Sequence, residues 1–181
     1  MTAPANILVA GIGNIFLGDD AFGSEVAQRL LRLPQPPGVR VIDFGIRGLD
    51  LMYALNEDCD LAILIDAVPR GEAPGTLFLI EPQIDSGDDA ASSNPLLDAH
   101  SMDPLKVLRS AAAMGTLPAH LFLIGCQPSP FSEDEEMQME MSAPVRAAID
   151  EAVLMVQQIV ARYTADRSDK LQPAHSQELS C

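Results

Sequence analysis

Tryptophan is absent from the 181 residues, and aromatic residues make up only 4%. Base-stacking platforms for single-stranded nucleic acid are therefore poorly supplied. Basic residues are scarce as well. Lys plus Arg number 11 against 26 Asp plus Glu, a formal net charge of −15. Such a surface repels phosphate backbones, so no nucleic-acid partner is expected, and an anionic membrane face is disfavoured on the same ground. No apolar run approaches the ~20 residues that span a bilayer. Met1 to Asn6 carries no basic residue, and the apolar stretch after it breaks at once into glycine, so no secretory signal is expected. Cys59, Cys126 and Cys181 are scattered, with no Cys-x-x-Cys pair. They fit a reducing cytoplasm and argue against a disulfide frame or a zinc cage.

Hydrophobic residues make up 48% of the chain, enough for one domain with a sizeable core. Strand-like and helix-like segments alternate. Ile7 to Ala10, Val39 to Phe44, Leu61 to Ile65, Thr76 to Glu81 and His120 to Gly125 read as strands. The first and third are continuous apolar runs, as in strands buried on both faces. Ala21 to Leu33, Leu49 to Leu55, Pro104 to Met114 and Ala143 to Tyr163 have helical spacing. The turn-rich connection Pro69 to Gly75 is too short for a crossover helix, so the fourth strand should return antiparallel beside its neighbour. Pro82 to Ala99 and Ser129 to Met141 are acidic and irregular. One domain is expected over 1–164, with a disordered polar tail over 165–181. The order βαβαββαβα predicts a mostly parallel sheet with helices on both faces.

In such sheets functional groups gather beyond the carboxyl ends of the strands. The first of these loops runs from Gly11 to Gly23. A dinucleotide fingerprint would place glycine where Phe16 stands, and a P-loop would need Gly-Lys-Ser/Thr. Asp19 and Asp20 instead set two carboxylates at a helix start, where they repel phosphate and attract a cation. One aspartate suffices to cap the helix, which frees the other. Asp66 ends the third strand, where it is a turn residue or a functional group. His100 lies among aspartates at a loop–helix junction, while His120 and His175 are poorer candidates. Two carboxylates and an imidazole suit a borderline divalent ion such as Zn²⁺ or Ni²⁺ and leave coordination positions open. Spacing alone does not bring them together. No His-Glu-x-x-His pair or Gly-x-Ser-x-Gly elbow is present. Cys59, flanked by Asp58 and Asp60, is a poor nucleophile, and Cys126 reads as a small buried residue.

On these residues the chain resembles the maturation endopeptidases of [NiFe] hydrogenases. The resemblance rests on Gly13-Asn14-Ile15-Phe16-Leu17-Gly18-Asp19-Asp20-Ala21-Phe22-Gly23, then Asp66, then His100 before a helix, then Gly125-Cys126-Gln127-Pro128. It runs from about Ile7 to about Tyr163. It implies a three-layer α/β/α sandwich around a five-stranded twisted sheet with one antiparallel strand. It implies an endopeptidase that removes a C-terminal extension from the hydrogenase large-subunit precursor after nickel insertion. Asp20, Asp66 and His100 would contact nickel carried by the substrate rather than a metal of the enzyme's own. Asn14, Asp19, Gly45, Ile46 and Gln127 would lie along the substrate. Two departures stand out: Asp20 replaces a common glutamate, and Asp43-Phe44-Gly45-Ile46 replaces a common Asp-Gly-Gly-Thr.

The expectation is thus a cytoplasmic, monomeric, metal-dependent protease. Its rivals are a precursor- or nickel-binding assembly protein of the same fold that does not cut, and a nucleotide-binding α/β domain. The stretches Glu81 to Asp103 and Glu133 to Glu140 contain no Lys or Arg. They are expected to flank the crevice and steer a basic or metal-bearing precursor.

Overall fold

Two apolar runs dictate the centre of the structure. It is a computed structural model that describes residues 4–82, 104–115, 117–130 and 140–170, with side chains through 167. Strand β1 (Ile7–Ile12) is buried along its whole length. It lies between β2 (Val39–Gly45) and β3 (Leu61–Ala67), parallel to both. Strand β5 (His120–Cys126) continues the parallel set beside β3. Strand β4 (Leu77–Ile80) closes the sheet, giving the order β2-β1-β3-β5-β4.

β4 runs antiparallel, as the short connection predicts, but its partner is β5 rather than the preceding strand β3. Backbone hydrogen bonds explain this. Val68 N–H donates to the Cys126 carbonyl, and Gly75 N–H donates to the Gln127 carbonyl, both at 2.8 Å. The connection after β3 is thereby laid across the end of β5, and β4 pairs on its far side.

Strand alternation divides the core in two. Ile7, Val9, Ile63, Ile65 and Ile124 face one layer, where they meet α1 (Phe22–Leu31) and α4 (Ala143–Lys170). Leu8, Ala10, Ala62, Leu64 and Leu123 face the other, where they meet α2 (Gly48–Leu55) and α3 (Pro104–Met114). A run such as Ile7-Leu8-Val9-Ala10 is apolar throughout because both of its faces are covered. The result is the three-layer α/β/α sandwich with one antiparallel strand.

The last helix continues through Lys170, beyond the point near residue 165 where the sequence reads as a tail. Contacts on both sides of that point hold the helix. The His120 and Tyr163 rings meet edge-on at 5.3 Å, and Arg167 pairs with Asp60 at 2.5 Å. Residues 171–181 lie outside the described residues. Among the described residues no helix is long and apolar enough to cross a membrane.

Candidate active site

The carboxyl ends of β1, β2 and β3 meet the start of α1 at a crowded junction. A methyl group on Gly23 would lie 2.0 Å from the Ile65 carbonyl oxygen and 2.2 Å from that of Ile12. Only glycine lets the helix start sit this close to both strands. The 3₁₀ turn before the helix, Gly18–Ala21, therefore packs against β3, the strand whose penultimate residue is Asp66.

This turn carries both aspartates. Neither caps α1, because residue 21 occupies the cap position and no side chain supplies a capping hydrogen bond. The carboxylates are engaged elsewhere. Asp20 Oδ2 accepts the Asn14 N–H at 2.9 Å, closing residues 14–20 into a ring. Inside the ring, Asn14 Oδ1 accepts the Phe16 N–H at 3.0 Å. The Leu17 N–H donates to the Asn14 carbonyl and the Asp20 N–H to the Leu17 carbonyl, each at 3.0 Å. Gly13 permits the fold-back: its φ is 144°, and a methyl group there would lie 1.9 Å from the Asp20 carbonyl oxygen. Asn14 is thus a structural hinge of the loop.

Asp19 faces the opposite way. Its Oδ2 accepts the Ser129 N–H at 2.8 Å and the Ser142 hydroxyl at 2.9 Å, and its Oδ1 accepts the Ser142 N–H at 2.6 Å. Partial burial opposes ionisation. The backbone and side-chain hydrogen bonds from Ser129 and Ser142 outweigh it and hold the pKa below the ordinary aspartate value. The structure places Asp19 in the scaffold, joining the turn to the two ends of the β5–α4 connection. Ser129 and Ser142 escape a reading by motif. The one local signal is Ser142, a helix-capping residue type directly before α4.

Asp66 is almost fully buried at the end of β3, and its Oδ1 accepts the Ala67 N–H at 2.8 Å. His100 lies outside the described residues, as do both acidic stretches apart from their terminal residues. Two of the three expected ligands are therefore placed, on a turn and a strand packed against each other. Among the described residues no group of three His, Cys, Asp or Glu side chains forms a metal site.

The remaining candidates fall into two groups. Gly45 ends β2 and Ile46 follows it at the same edge, where Gly13 N–H donates to the Gly45 carbonyl at 3.1 Å. Asp43 holds this corner, accepting from the Ser24 hydroxyl at 2.8 Å, the Gly45 N–H at 3.0 Å and the Gln28 amide at 2.9 Å. Ile46 is exposed. Gln127, by contrast, is buried, and its Oε1 accepts the N–H groups of Arg70 at 2.6 Å and Glu72 at 3.3 Å. Its amide group supports the β3–β4 connection. Cys126 is fully buried; burial, then the nearby charge of Asp19, pushes its thiol up to about 12. Burial also raises the Cys59 thiol. Neither is a nucleophile near neutral pH.

Known proteins share this architecture and much of this sequence. Residues 24–159 match the family described as hydrogenase maturation protease. The hydrogenase expression/formation protein HoxM of Azotobacter vinelandii is 35% identical over 89% of this chain and 74% of its own length. The hydrogenase 2 maturation protease of Escherichia coli is 30% identical over 83% of this chain and 87% of its own. Among solved structures, the hydrogenase maturating endopeptidase HybD from E. coli superposes with a TM-score of 0.66 at 27% identity, covering 87% of this chain and 93% of that one. A hydrogenase 2 maturation peptidase from a Thaumarchaeota archaeon gives 0.63 at 30% identity, covering 86% and 98%. With three-quarters of its length inside the family match and its fold shared with solved members, this chain belongs to the hydrogenase maturation protease family.

Proposed function

We propose that this protein is an endopeptidase that removes the C-terminal extension of a [NiFe] hydrogenase large-subunit precursor after nickel insertion. The observation that carries the reading is the packing of the Asp20 turn against β3, the strand that carries Asp66 near its end. Two carboxylates at the carboxyl edge of the sheet, one on the turn and one near the end of β3, can approach one cation. His100 completes the set as the borderline donor that distinguishes a nickel grip from a purely oxygen site. The nickel is cargo of the substrate, not a resident cofactor.

The division of labour follows from the hydrogen bonds. Asp20 has its Oδ2 fixed by Asn14, and among the described residues its Oδ1 takes no hydrogen bond, so that oxygen is available to the metal. Asp66 is preorganised by burial and by the Ala67 N–H. These carboxylates would bind and orient the precursor through its nickel, which would supply Lewis-acid chemistry at the scissile bond. The two buried thiols take no part. The enzyme works as a cytoplasmic monomer, and its charge of −15 steers a basic or metal-bearing partner.

The test mixes nickel-loaded precursor with wild type and with Asp20→Asn, Asp66→Asn and His100→Ala, and follows intact mass. Wild type should shorten the precursor and the variants should not. Unimpaired cleavage by all three variants overturns the assignment. A stable complex without mass loss would instead identify a non-proteolytic assembly protein. Cleavage should slow as salt rises; a rate indifferent to ionic strength removes the steering role.

A further inference from the structure

The ring that ends on Asp20 displays three consecutive large apolar side chains to solvent. Ile15 is 54% exposed, Phe16 61% and Leu17 42%. Isolated exposed apolar residues are ordinary, but three together on one tight loop form a patch. Ile46, 58% exposed, follows Gly45, whose carbonyl is hydrogen-bonded to Gly13 at the root of the same loop. No charged residue stands between Asn14 and Gly18 in a chain that is otherwise strongly acidic.

The loop is also rigid. Four hydrogen bonds within residues 14–20 fix it, and one of them is made by Asp20's own carboxylate. An apolar surface held in advance loses little conformational entropy on docking. We propose that Ile15, Phe16 and Leu17, with Ile46 beside them, form the platform on which an apolar surface of the hydrogenase precursor docks, next to its nickel. The inference rests on the function proposed above, and its occupant follows from continuity. A protein substrate that brings an atom to Asp20 must also cover a loop whose tip lies three to five residues before it. Docking and metal grip then belong to one rigid unit, so a surface that fits the platform is delivered in register to Asp20.

The platform predicts a defect in binding rather than in chemistry. With nickel-loaded precursor, Phe16→Ser should raise both Kd and KM about tenfold or more and leave kcat within about twofold. Phe16→Leu should restore most of the affinity, since it returns apolar area without the ring. Phe16 is exposed, so thermal melting of both variants should match wild type. An unchanged Kd for Phe16→Ser, or a loss confined to kcat, overturns the proposal. So does a wild-type dimer dissociated by Phe16→Ser while precursor affinity holds, because the platform would then serve a second copy of this chain. Binding and cleavage separate the two claims. Wild type that binds but does not cut refutes the protease reading and leaves the platform tested by Kd alone. Wild type that cuts normally, with Phe16→Ser equal to it, refutes only the platform.

Discussion

The carboxylate of Asp19 accepts the backbone N–H of Ser142 at 2.6 Å across 123 positions of the chain. The same carboxylate holds Ser129, so one side chain ties the turn bearing Asp20 to both ends of the β5–α4 connection. Asp19→Ala should cost about 1–3 kcal/mol of folding stability at pH 7, because two backbone N–H groups lose a charged acceptor. The pH dependence has a definite sign. The folded pKa lies below the ordinary value of 3.8, so the stabilisation is complete above that value and is lost as pH falls through the folded pKa. Urea denaturation of wild type and Asp19→Ala at pH 7 and pH 3 should show the gap narrowing in acid. A gap of constant size would mean that the contact does not depend on ionised Asp19.

Gly23 sets how closely α1 can approach the sheet. A methyl group there meets two carbonyl oxygens, at 2.0 Å from Ile65 and 2.2 Å from Ile12, and backbone does not move aside as a flexible side chain would. Gly23→Ala should therefore cost at least ~3 kcal/mol. Gly71→Ala provides the comparison. Nothing lies within 4 Å of an added methyl group there, and the only penalty is its φ of 81°, worth roughly 1–2 kcal/mol. Equal losses in the two variants, measured by denaturant unfolding, would show that the junction beneath Asp66 yields more readily than its geometry implies.

Where burial alone governs the pattern, the sequence can be read directly. β1 and β3 stand out as uninterrupted apolar runs because helices cover both of their faces, and the strand-end position of Asp66 follows from that. What cannot be read locally depends on partners far along the chain. β4 could be recognised as antiparallel, but its place beside β5 is set by hydrogen bonds from residues 68 and 75 to residues 126 and 127. Asp19 and Asp20 look like alternative helix caps because nothing near them reveals Ser129, 110 positions away. In the structure the two neighbours divide the work: Asp19 anchors the scaffold and Asp20 closes the loop. Helix α4 outruns its apolar stripe for a similar reason, since Arg167 finds Asp60 on the other side of the sequence.

Gln127 belongs to the same class. Its place in Gly125-Cys126-Gln127-Pro128 suggests a substrate contact, yet its side-chain oxygen takes the N–H groups of Arg70 and Glu72. Gln127→Ala should leave both donors without this acceptor and loosen the β3–β4 connection. Amide hydrogen exchange should speed up at Arg70 and Glu72 while β1 and β3 keep their protection. Stability should fall by about 1–3 kcal/mol. Glutamate at this position would retain the acceptor oxygen and should preserve much of the protection. Unchanged exchange at residues 70 and 72 in Gln127→Ala would return the side chain to the substrate.

Cys126 is the last residue of β5, at the carboxyl edge of the sheet, so a thiol mechanism makes a sharp contrast with the proposed metal-assisted one. The side chain has no exposed surface, and burial pushes its pKa up to about 12. At pH 8 the thiolate is then about one part in ten thousand, far too little for a working nucleophile. Native protein should resist alkylation at Cys126 by iodoacetamide at pH 8, as peptide mapping would show, and become labelled once unfolded in urea. Cys126→Ala removes only the sulfur from a packed site, so it should cost about 1 kcal/mol and leave precursor cleavage near the wild-type rate. Rapid labelling of the folded protein at Cys126, with cleavage lost in Cys126→Ala, would point to thiol chemistry and away from the carboxylates at Asp20 and Asp66.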